Sequence, residues 1–287
     1  MDTYILERKF AAMGARLKLD QSRGFGGVQI NIGHDRRGEF FDVKVNPETV
    51  EDLDALDVQP NMRHLLLMAR VKQFSTNVRR NWRRAAVIVT SLPSKPVPVE
   101  KQKFLCGHDE RHWFVAAVPE RGSASTVRTA MEALKPPAVK AAQHLAKLDA
   151  AQANRRKNRA FVRQGEWFFL PRPKLVVDAA LVLRQEPIRR GAGKPHWAEE
   201  AYRVGGERVW VSSEYPNGVN FASYQRIVRE SPQKAKEFRQ MVRNPQLFVR
   251  GRIKHPDHDT IKLWCWHEVL MNTETEAKAM QHVAFLD

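Results

Sequence analysis

The sequence predicts an α/β protein of the α+β kind, and two observations support this class. Short runs in which apolar and polar residues alternate are bounded by Gly, Asp and Pro, which is typical of β-hairpins. A single long stretch rich in alanine and leucine indicates helix. We therefore predict an N-terminal mixed α/β domain with β-hairpins (1–123), a long connecting basic helix (124–158), and a β-rich C-terminal domain with helical insertions (159–287).

Two hairpins are predicted in the N-terminal domain. The first covers 25–45, where GGVQINI and EFFDVKV flank the turn GHDRRG, and the second covers 103–120 around GHDER. Between them, the acidic stretch 47–57 is expected to form a short helix or a loop. The segment STNVRRNWRR (75–84) is predicted to be a helix with an apolar stripe and an arginine-rich opposite face.

The connecting region begins with STVRTAMEAL, is broken at Pro136 and Pro137, and continues as a second, alanine-rich helix that ends in a basic cluster. Beyond it, strands are predicted at 160–171, 174–184 and 207–213, and helices at 220–230 and 231–243. The chain is expected to close with a hairpin, 246–254 and 260–270, joined by HPDHD.

The charge of the chain indicates a polyanionic partner. With 48 Lys and Arg against 32 Asp and Glu, the formal net charge is +16, and both halves of the chain are basic. Such a field attracts nucleic acid, DNA or RNA, through phosphate contacts. The predicted contacts are Arg79, Arg80, Arg83, Arg84, Arg155, Arg156, Lys157, Arg189, Arg190 and Lys194.

Histidines in two polar loops of the C-terminal domain are candidate metal ligands. His255 and His258 flank a tight turn, and His196 follows a glycine-containing loop. Imidazole is a common ligand of divalent ions, so a Zn²⁺, Mn²⁺ or Mg²⁺ site is possible, with Asp257 or Glu268 as an additional ligand or catalytic base. Solvated turn histidines are the alternative interpretation.

The two cysteines share no CxxC spacing, and no apolar run is long enough to cross a bilayer. The N-terminal stretch carries charges throughout, so we expect a cytoplasmic protein without a membrane partner. Nucleic-acid binding is the first functional hypothesis. The alternatives are a metal-dependent phosphodiesterase or nuclease, a cupin-like small-molecule metalloenzyme, and a partner-binding module whose histidines are incidental.

Three short segments carry a family resemblance: RQGEWFFLP (163–171), the Pro-His pair at 195–196, and HPDHDTIKL (255–263). Together they resemble uncharacterised bacterial and phage proteins that open with an RQGDV-LL-IP run and continue with a glycine-histidine loop and a HEEH-type pair. The resemblance covers about residues 161–272. It implies a shared β-rich unit and a shared placement of histidines, and it implies no activity.

Overall fold

The computed structural model describes residues 2–23, 25–72, 98–190 and 193–281, and the chain divides into two compact units. Unit 1 comprises residues 1–159 and 271–287, and unit 2 comprises residues 160–270. The class is α+β with a β-rich character, 23% helical and 47% strand. Among the described residues, no helix combines the length and the hydropathy needed to cross a membrane.

Unit 1 contains a three-stranded sheet in the order β1-β3-β2 and a four-stranded antiparallel sheet in the order β4-β5-β6-β7. Both predicted hairpins are confirmed, as β2–β3 and β6–β7. The described strands are β1 (Leu17–Gln21), β2 (Val28–Asp35), β3 (Gly38–Val45), β4 (Val50–Gln59), β5 (His64–Lys72), β6 (Val99–Asp109) and β7 (His112–Val118).

The prediction for the acidic segment 47–57 is wrong, because most of this segment forms β4 and not a helix or a loop. Leu53 and Ala55 are buried while their neighbours along the strand are more exposed, which is the period of two that a half-buried strand requires. The acidic side chains of this strand are exposed or half-buried. Charge alone suggested a helix or a loop, but the alternation of apolar residues decides the structure.

The core of unit 1 has two layers. On one face of the four-stranded sheet, Leu65 and Phe104 pack with Phe41 of β3 and with Phe10 of the first helix. On the opposite face, Leu66 packs in a second apolar cluster with residues of the later helices. The described helices of unit 1 are α1 (Thr3–Ala12), α2 (Val127–Ala133), α3 (Pro137–Leu145) and α4 (Ala150–Ala153).

The prediction of a long connecting helix over 124–158 is wrong, although the break predicted at Pro136 and Pro137 is present. Three short helices, α2, α3 and α4, occupy this region and belong to unit 1. Lys147 has a left-handed backbone (φ 49°) directly after α3, and the side chain of Asp149 caps the next helix, so the chain cannot continue as one rod. The basic residues 155–157 follow α4 outside a helix.

Unit 2 is built on a six-stranded sheet in the order β10-β11-β14-β15-β9-β8, with a two-stranded β12–β13 ribbon beside the helix α5. Within it, β14 lies between β11 and β15 and is antiparallel to both. The described elements are β8 (Val162–Gln164), β9 (Trp167–Pro171), β10 (Leu183–Ile188), β11 (His196–Val204), β12 (Glu207–Val211), α5 (Phe221–Glu230), β13 (Arg239–Arg243), β14 (Gln246–His255) and β15 (His258–Met271).

Several C-terminal predictions are confirmed and three are wrong. The strand expected over 160–171 is a hairpin, β8–β9, with its turn at Gly165 and Glu166. The closing hairpin is present as β14–β15, and the helix over 220–230 is present as α5. The expected strand 174–184 is mostly irregular, with strand structure only from Leu183. The expected helix 231–243 is a short 3₁₀ turn, Pro232–Glu237, followed by β13, because Phe238 already adopts an extended conformation.

Candidate metal centre

Three neighbouring strands of unit 2 bring three histidines to one end of the sheet. His255 ends β14 and pairs with His258, the first residue of β15, across a two-residue turn. His196 begins β11, where Trp197 pairs with Lys254, so His196 lies beside His255 in the register. Directly opposed residues in antiparallel strands have Cβ atoms about 5 Å apart, so the three imidazoles form a row.

The imidazoles converge closely enough to share an ion. Each of the three histidines offers a ring nitrogen, and these nitrogens lie within 4.8 Å of one another. The ring centroids of His196 and His255 are 4.2 Å apart, and those of His255 and His258 are 4.8 Å apart. In a tetrahedral zinc site the ligand nitrogens are about 3.4 Å apart, so modest side-chain rotations would complete the geometry.

His196 is the buried member of this histidine cluster. Its side chain is 2% exposed, and neither ring nitrogen has a hydrogen-bond partner among the described residues. An unsatisfied buried polar group costs about 1–3 kcal/mol, and a bound ion or water is one of the explanations for such a group in a native protein. The other two histidines are partly exposed, so the cluster is open on their side.

The electrostatics of the cluster favour neutral rings. The pKa of His196 is lowered to about 3, chiefly by burial and then by the nearby imidazoles of His255 and His258, against an opposing effect of Asp257. Burial is also the main cause that lowers the pKa of His255, followed by His258. Metal ligation needs deprotonated imidazole nitrogens, and the lowered pKa values keep the rings of His196 and His255 deprotonated near neutral pH.

The turn between β8 and β9 lies against the histidine cluster. Gly165 has a positive φ of 56°, and a Cβ atom added to it would lie 3.0 Å from Nε2 of His258 and 3.6 Å from Nε2 of His196. The two nitrogens therefore face the same small space, and the missing side chain at position 165 leaves that space open. Glycine also suits the left-handed backbone of this turn.

Two buried polar side chains flank Gly165 and were not predicted as site residues. Gln164 and Trp167 form a pair in the β8–β9 hairpin, and both are buried. The amide of Gln164 donates to the backbone carbonyl of Asp259 (2.6 Å), and the Trp167 ring stands edge-on to the His196 ring at 6.5 Å. Gln164 Oε1 and Trp167 Nε1 have no partner among the described residues. The turn glycine in RQGEW was the sequence signal for them.

Asp257 lies in the turn between His255 and His258. Its carboxylate accepts hydrogen bonds from Lys194 Nζ at 2.9 and 3.0 Å, and its backbone N–H donates to Nδ1 of His255 at 3.1 Å. The turn backbone thus orients the His255 ring, and the ion pair holds Lys194 beside the histidine cluster. Asp257 is therefore the predicted catalytic residue that the structure brings to the cluster.

Glu268, the second predicted catalytic residue, is not brought to the histidines. It lies ten residues along β15 from His258, which corresponds to roughly 30 Å of strand. Its carboxylate forms an ion pair with Arg172. Strand spacing places Glu268 near the opposite end of β15, so it cannot serve a centre at the β14–β15 turn.

The predicted phosphate contacts fall into three groups. Arg79, Arg80, Arg83 and Arg84, with the predicted helix around them, lie outside the described residues. Arg155, Lys157 and Arg189 are exposed, and Arg190 is partly exposed. Arg156 contacts the carboxylates of Asp109 and Glu110, and Lys194 contacts Asp257, so both are engaged within the protein.

The donor set of the cluster distinguishes among metals. Three imidazoles suit zinc, copper, nickel, cobalt or iron, whereas Mg²⁺ prefers oxygen ligands and keeps several waters. His196, His255 and His258 therefore fit a transition ion better than the Mg²⁺ that the sequence left open. The fit rests on the buried, unpartnered nitrogens of His196.

Comparisons with known proteins assign no family to the chain. No protein-family model matches it, and neither a curated protein nor a solved structure is significantly similar to it. The resemblance of residues 161–272 to the RQGD-type proteins stays a prediction. The functional inference must therefore begin with the geometry of the histidine cluster.

Proposed function

We propose that unit 2 binds a divalent transition-metal ion through His196, His255 and His258, with Zn²⁺ as the first candidate. The observation that carries this proposal is the burial of His196 with both ring nitrogens unpartnered among the described residues. A histidine that served only the core would bond a nearby backbone carbonyl. His267, on the same sheet, does so by donating from Nδ1 to the carbonyl of Cys265 at 2.8 Å.

We further propose that the centre is hydrolytic. Three protein ligands leave one position of a tetrahedral ion for water, whose pKa such an ion lowers toward about 7. Asp257, held in the turn between two of the ligands, is the candidate general base. Gln164 Oε1 and Trp167 Nε1 supply an unpartnered acceptor and donor for orienting a substrate.

The cations around the cluster favour a phosphate ester as the substrate. Arg189, Arg190 and Lys194 lie in the connection between β10 and β11, which leads directly into His196. Lys194 is held beside Asp257 by their ion pair. Positive charge at this end of the sheet would stabilise the charge that develops on a phosphoryl group in the transition state. A phosphodiester is therefore the proposed substrate class.

Metal analysis tests the first proposal. The chelator-treated full-length protein is titrated with Co²⁺ and Zn²⁺, and visible Co²⁺ spectra report on the ligands. We expect one ion per chain, and an affinity at least about 100-fold weaker in His196→Ala and His258→Ala, because each loses a direct ligand. His144→Ala, an exposed histidine of α3, is the control and should bind as the wild type does. Equal binding by His196→Ala and the wild type would refute the site.

A separate assay tests the reaction. The metal-loaded protein is incubated with bis-p-nitrophenyl phosphate and with single- and double-stranded oligonucleotides. Asp257→Asn should lower the turnover about 100-fold or more while one ion stays bound, since it removes a base and no ligand. A protein that binds metal but cleaves no phosphodiester would keep the metal site and exclude this substrate class. A cupin-like small-molecule enzyme would then be the next hypothesis.

Nucleic-acid binding without cleavage is the second candidate function. It is favoured by the net charge of +16 and by the exposure of Arg155, Lys157 and Arg189. Reversing these three charges should weaken binding of a labelled oligonucleotide and flatten its dependence on salt, because each lost phosphate contact releases fewer counterions. If affinity and salt slope are unchanged, these residues do not contact nucleic acid.

A further inference from the structure

A cleft in unit 1, separate from the histidine cluster, has features of a ligand-binding site. It lies among α2, α3 and α4 and has a volume of about 520 Å³. That volume is within the range of about 300–1,000 Å³ that small-molecule sites occupy. Leu148, Ala150 and Ala153 provide apolar lining, and Arg128, Lys140 and Lys147 provide cations.

The walls of the cleft are held by buried polar contacts that do not use those three cations. Lys135, only 3% exposed, donates from Nζ to the carbonyl of Ala153 and to Oδ1 of Asn154, both at 2.9 Å. The buried Gln143 donates to the same Ala153 carbonyl at 2.6 Å. These bonds tie the end of α4 to α3 and to the connection between α2 and α3, and they hold that wall of the cleft in place.

The charge of the cleft is not balanced locally. Its lining contains three cations, Arg128, Lys140 and Lys147, and one carboxylate, Glu132. Asp149 is the other acidic residue of this helical region. Glu132 forms an ion pair with Lys135, and Asp149 accepts the backbone N–H of Gln152 as a helix cap. Both carboxylates are therefore engaged by other groups. A concave surface with uncompensated cations concentrates the field and attracts anions.

The three cations of the cleft remain accessible. Arg128, Lys140 and Lys147 are exposed, and none forms an ion pair with a carboxylate of the described residues. By contrast, Arg156 is engaged by Asp109 and Glu110. The cations of the cleft can therefore reach an incoming anion without first breaking an internal ion pair.

We infer that this cleft binds a small phosphorylated molecule, with its phosphate at Arg128, Lys140 and Lys147 and its less polar part against Leu148 and the alanines. Arg and Lys are the side chains that bind phosphate by charge-assisted hydrogen bonds. The apolar lining distinguishes the cleft from a flat protein surface that binds a polyanion, because such a surface needs only cations. The inference is independent of the proposed metal centre.

Titration of the full-length protein with inorganic pyrophosphate and with a fluorescent nucleoside monophosphate tests the inference. Each of Lys140→Glu and Lys147→Gly should weaken binding about tenfold, the effect of losing one charge-assisted contact. Lys147→Gly is informative because the left-handed backbone at this position (φ 49°) suits glycine, so the variant should fold. Arg36→Glu, an exposed residue of the β2–β3 turn, is the charge control for Lys140→Glu and should stay within about twofold.

The binding results either support or overturn the assignment of a phosphate site to this cleft. Saturable binding that weakens in the cleft variants and persists in Arg36→Glu and His196→Ala supports the inference. Absence of saturable binding, or an equal loss in Arg36→Glu, overturns it. Binding of a long oligonucleotide without binding of either small probe also overturns it and assigns the helical layer to nucleic acid. Loss of binding on chelation would place the phosphate at the metal centre instead.

Discussion

At Gly165 a methyl group would lie 3.0 Å from Nε2 of His258, and the backbone has a positive φ of 56°. Gly165→Ala therefore combines two effects, backbone strain and crowding of the nitrogens that would bind the ion. Gly205, in the same unit, has a φ of 70° but nothing within 4 Å of its added Cβ. Gly205→Ala therefore introduces backbone strain without crowding and serves as the control for Gly165→Ala.

We predict that Gly165→Ala and Gly205→Ala each lower the free energy of unfolding by about 1 kcal/mol, the cost of a left-handed alanine. Only Gly165→Ala should also weaken metal binding, by about tenfold or more. Isothermal titration with Zn²⁺ and urea denaturation measure the two quantities. A parallel loss of metal affinity in Gly205→Ala would attribute the effect to backbone strain rather than to crowding.

The surroundings of Glu39 lead to a prediction about how the stability of the protein depends on pH. Burial opposes ionisation of its carboxyl, but hydrogen bonds from the Trp113 backbone, His112 and His34 outweigh burial and lower its pKa. A carboxyl whose pKa is lower in the folded than in the unfolded protein stabilises the folded state at pH values above the unfolded pKa of 4.5. That stability is lost as the pH falls through the folded pKa.

Glu39→Gln should therefore destabilise the protein by about 2 kcal/mol at pH 6 and by much less at pH 3. Urea denaturation at both values measures the difference, and the wild type should lose more stability on acidification than the variant does. Identical pH dependence of the two proteins would show that Glu39 does not titrate with a lowered pKa.

At the scale of elements, the segment after α4 shows that a basic cluster need not be a binding surface. Arg156 contacts Asp109 and Glu110 at the β6–β7 turn, and the side chains of both acids are largely buried, at 11% and 16% exposure. Lys157, the next residue, is exposed. The sequence placed both in one set of phosphate contacts, but the fold gives them different surroundings.

We predict that Arg156→Ala lowers the free energy of unfolding of unit 1 by about 3 kcal/mol, because it removes a cation from two poorly solvated carboxylates. Lys157→Ala, the neighbouring control, should change it by less than about 0.5 kcal/mol. Urea denaturation followed by circular dichroism measures both. If Arg156→Ala is as stable as Lys157→Ala, the ion pairs contribute little and Arg156 is available for phosphate.

The β14–β15 hairpin is the element that the sequence predicted best. Its alternating strands and the turn within HPDHD follow from local preferences, and they bring His255 near His258 without help from the rest of the chain. The turn itself is shorter than predicted, because His255 and His258 already pair as strand residues. The 3₁₀ turn at Pro232–Glu237 shows the limit of such reasoning. Its proline and lysines favour the start of a helix, but β13 pairs with β12 and removes residues 239–243 from it.

At the scale of the whole molecule, the chain leaves unit 1 at residue 159 and returns to it at residue 271. Unit 2 is therefore a continuous segment inserted into unit 1. The buried Ala277 and Ala279 join the core of unit 1, and Thr273 donates to the backbone carbonyls of Ala133 and Leu134. Unit 1 thus needs both ends of the described chain.

A fragment comprising residues 160–270 is predicted to fold by itself and to bind one Zn²⁺ with the affinity of the full-length protein, since all three histidines lie within it. Circular dichroism and metal titration of the fragment test this. A folded fragment with much weaker binding would mean that unit 1 contributes to the site. A second variant, truncated after residue 270, should unfold at a lower urea concentration than the untruncated protein. It lacks Ala277 and Ala279, which pack in the core of unit 1.

The sequence alone determined the α+β class, the hairpins, the surplus of positive charge and the placement of His255 and His258 at one tight turn. These features depend on residues close together in the chain, where periodicity, turn residues and composition act directly. Tertiary structure decided the rest. Only the register of β11 against β14, which joins segments about 50 residues apart, brings His196 to the other two histidines. Only packing shows which cations meet a carboxylate, because ion pairs such as Arg156 with Asp109 form between segments that local preferences cannot relate.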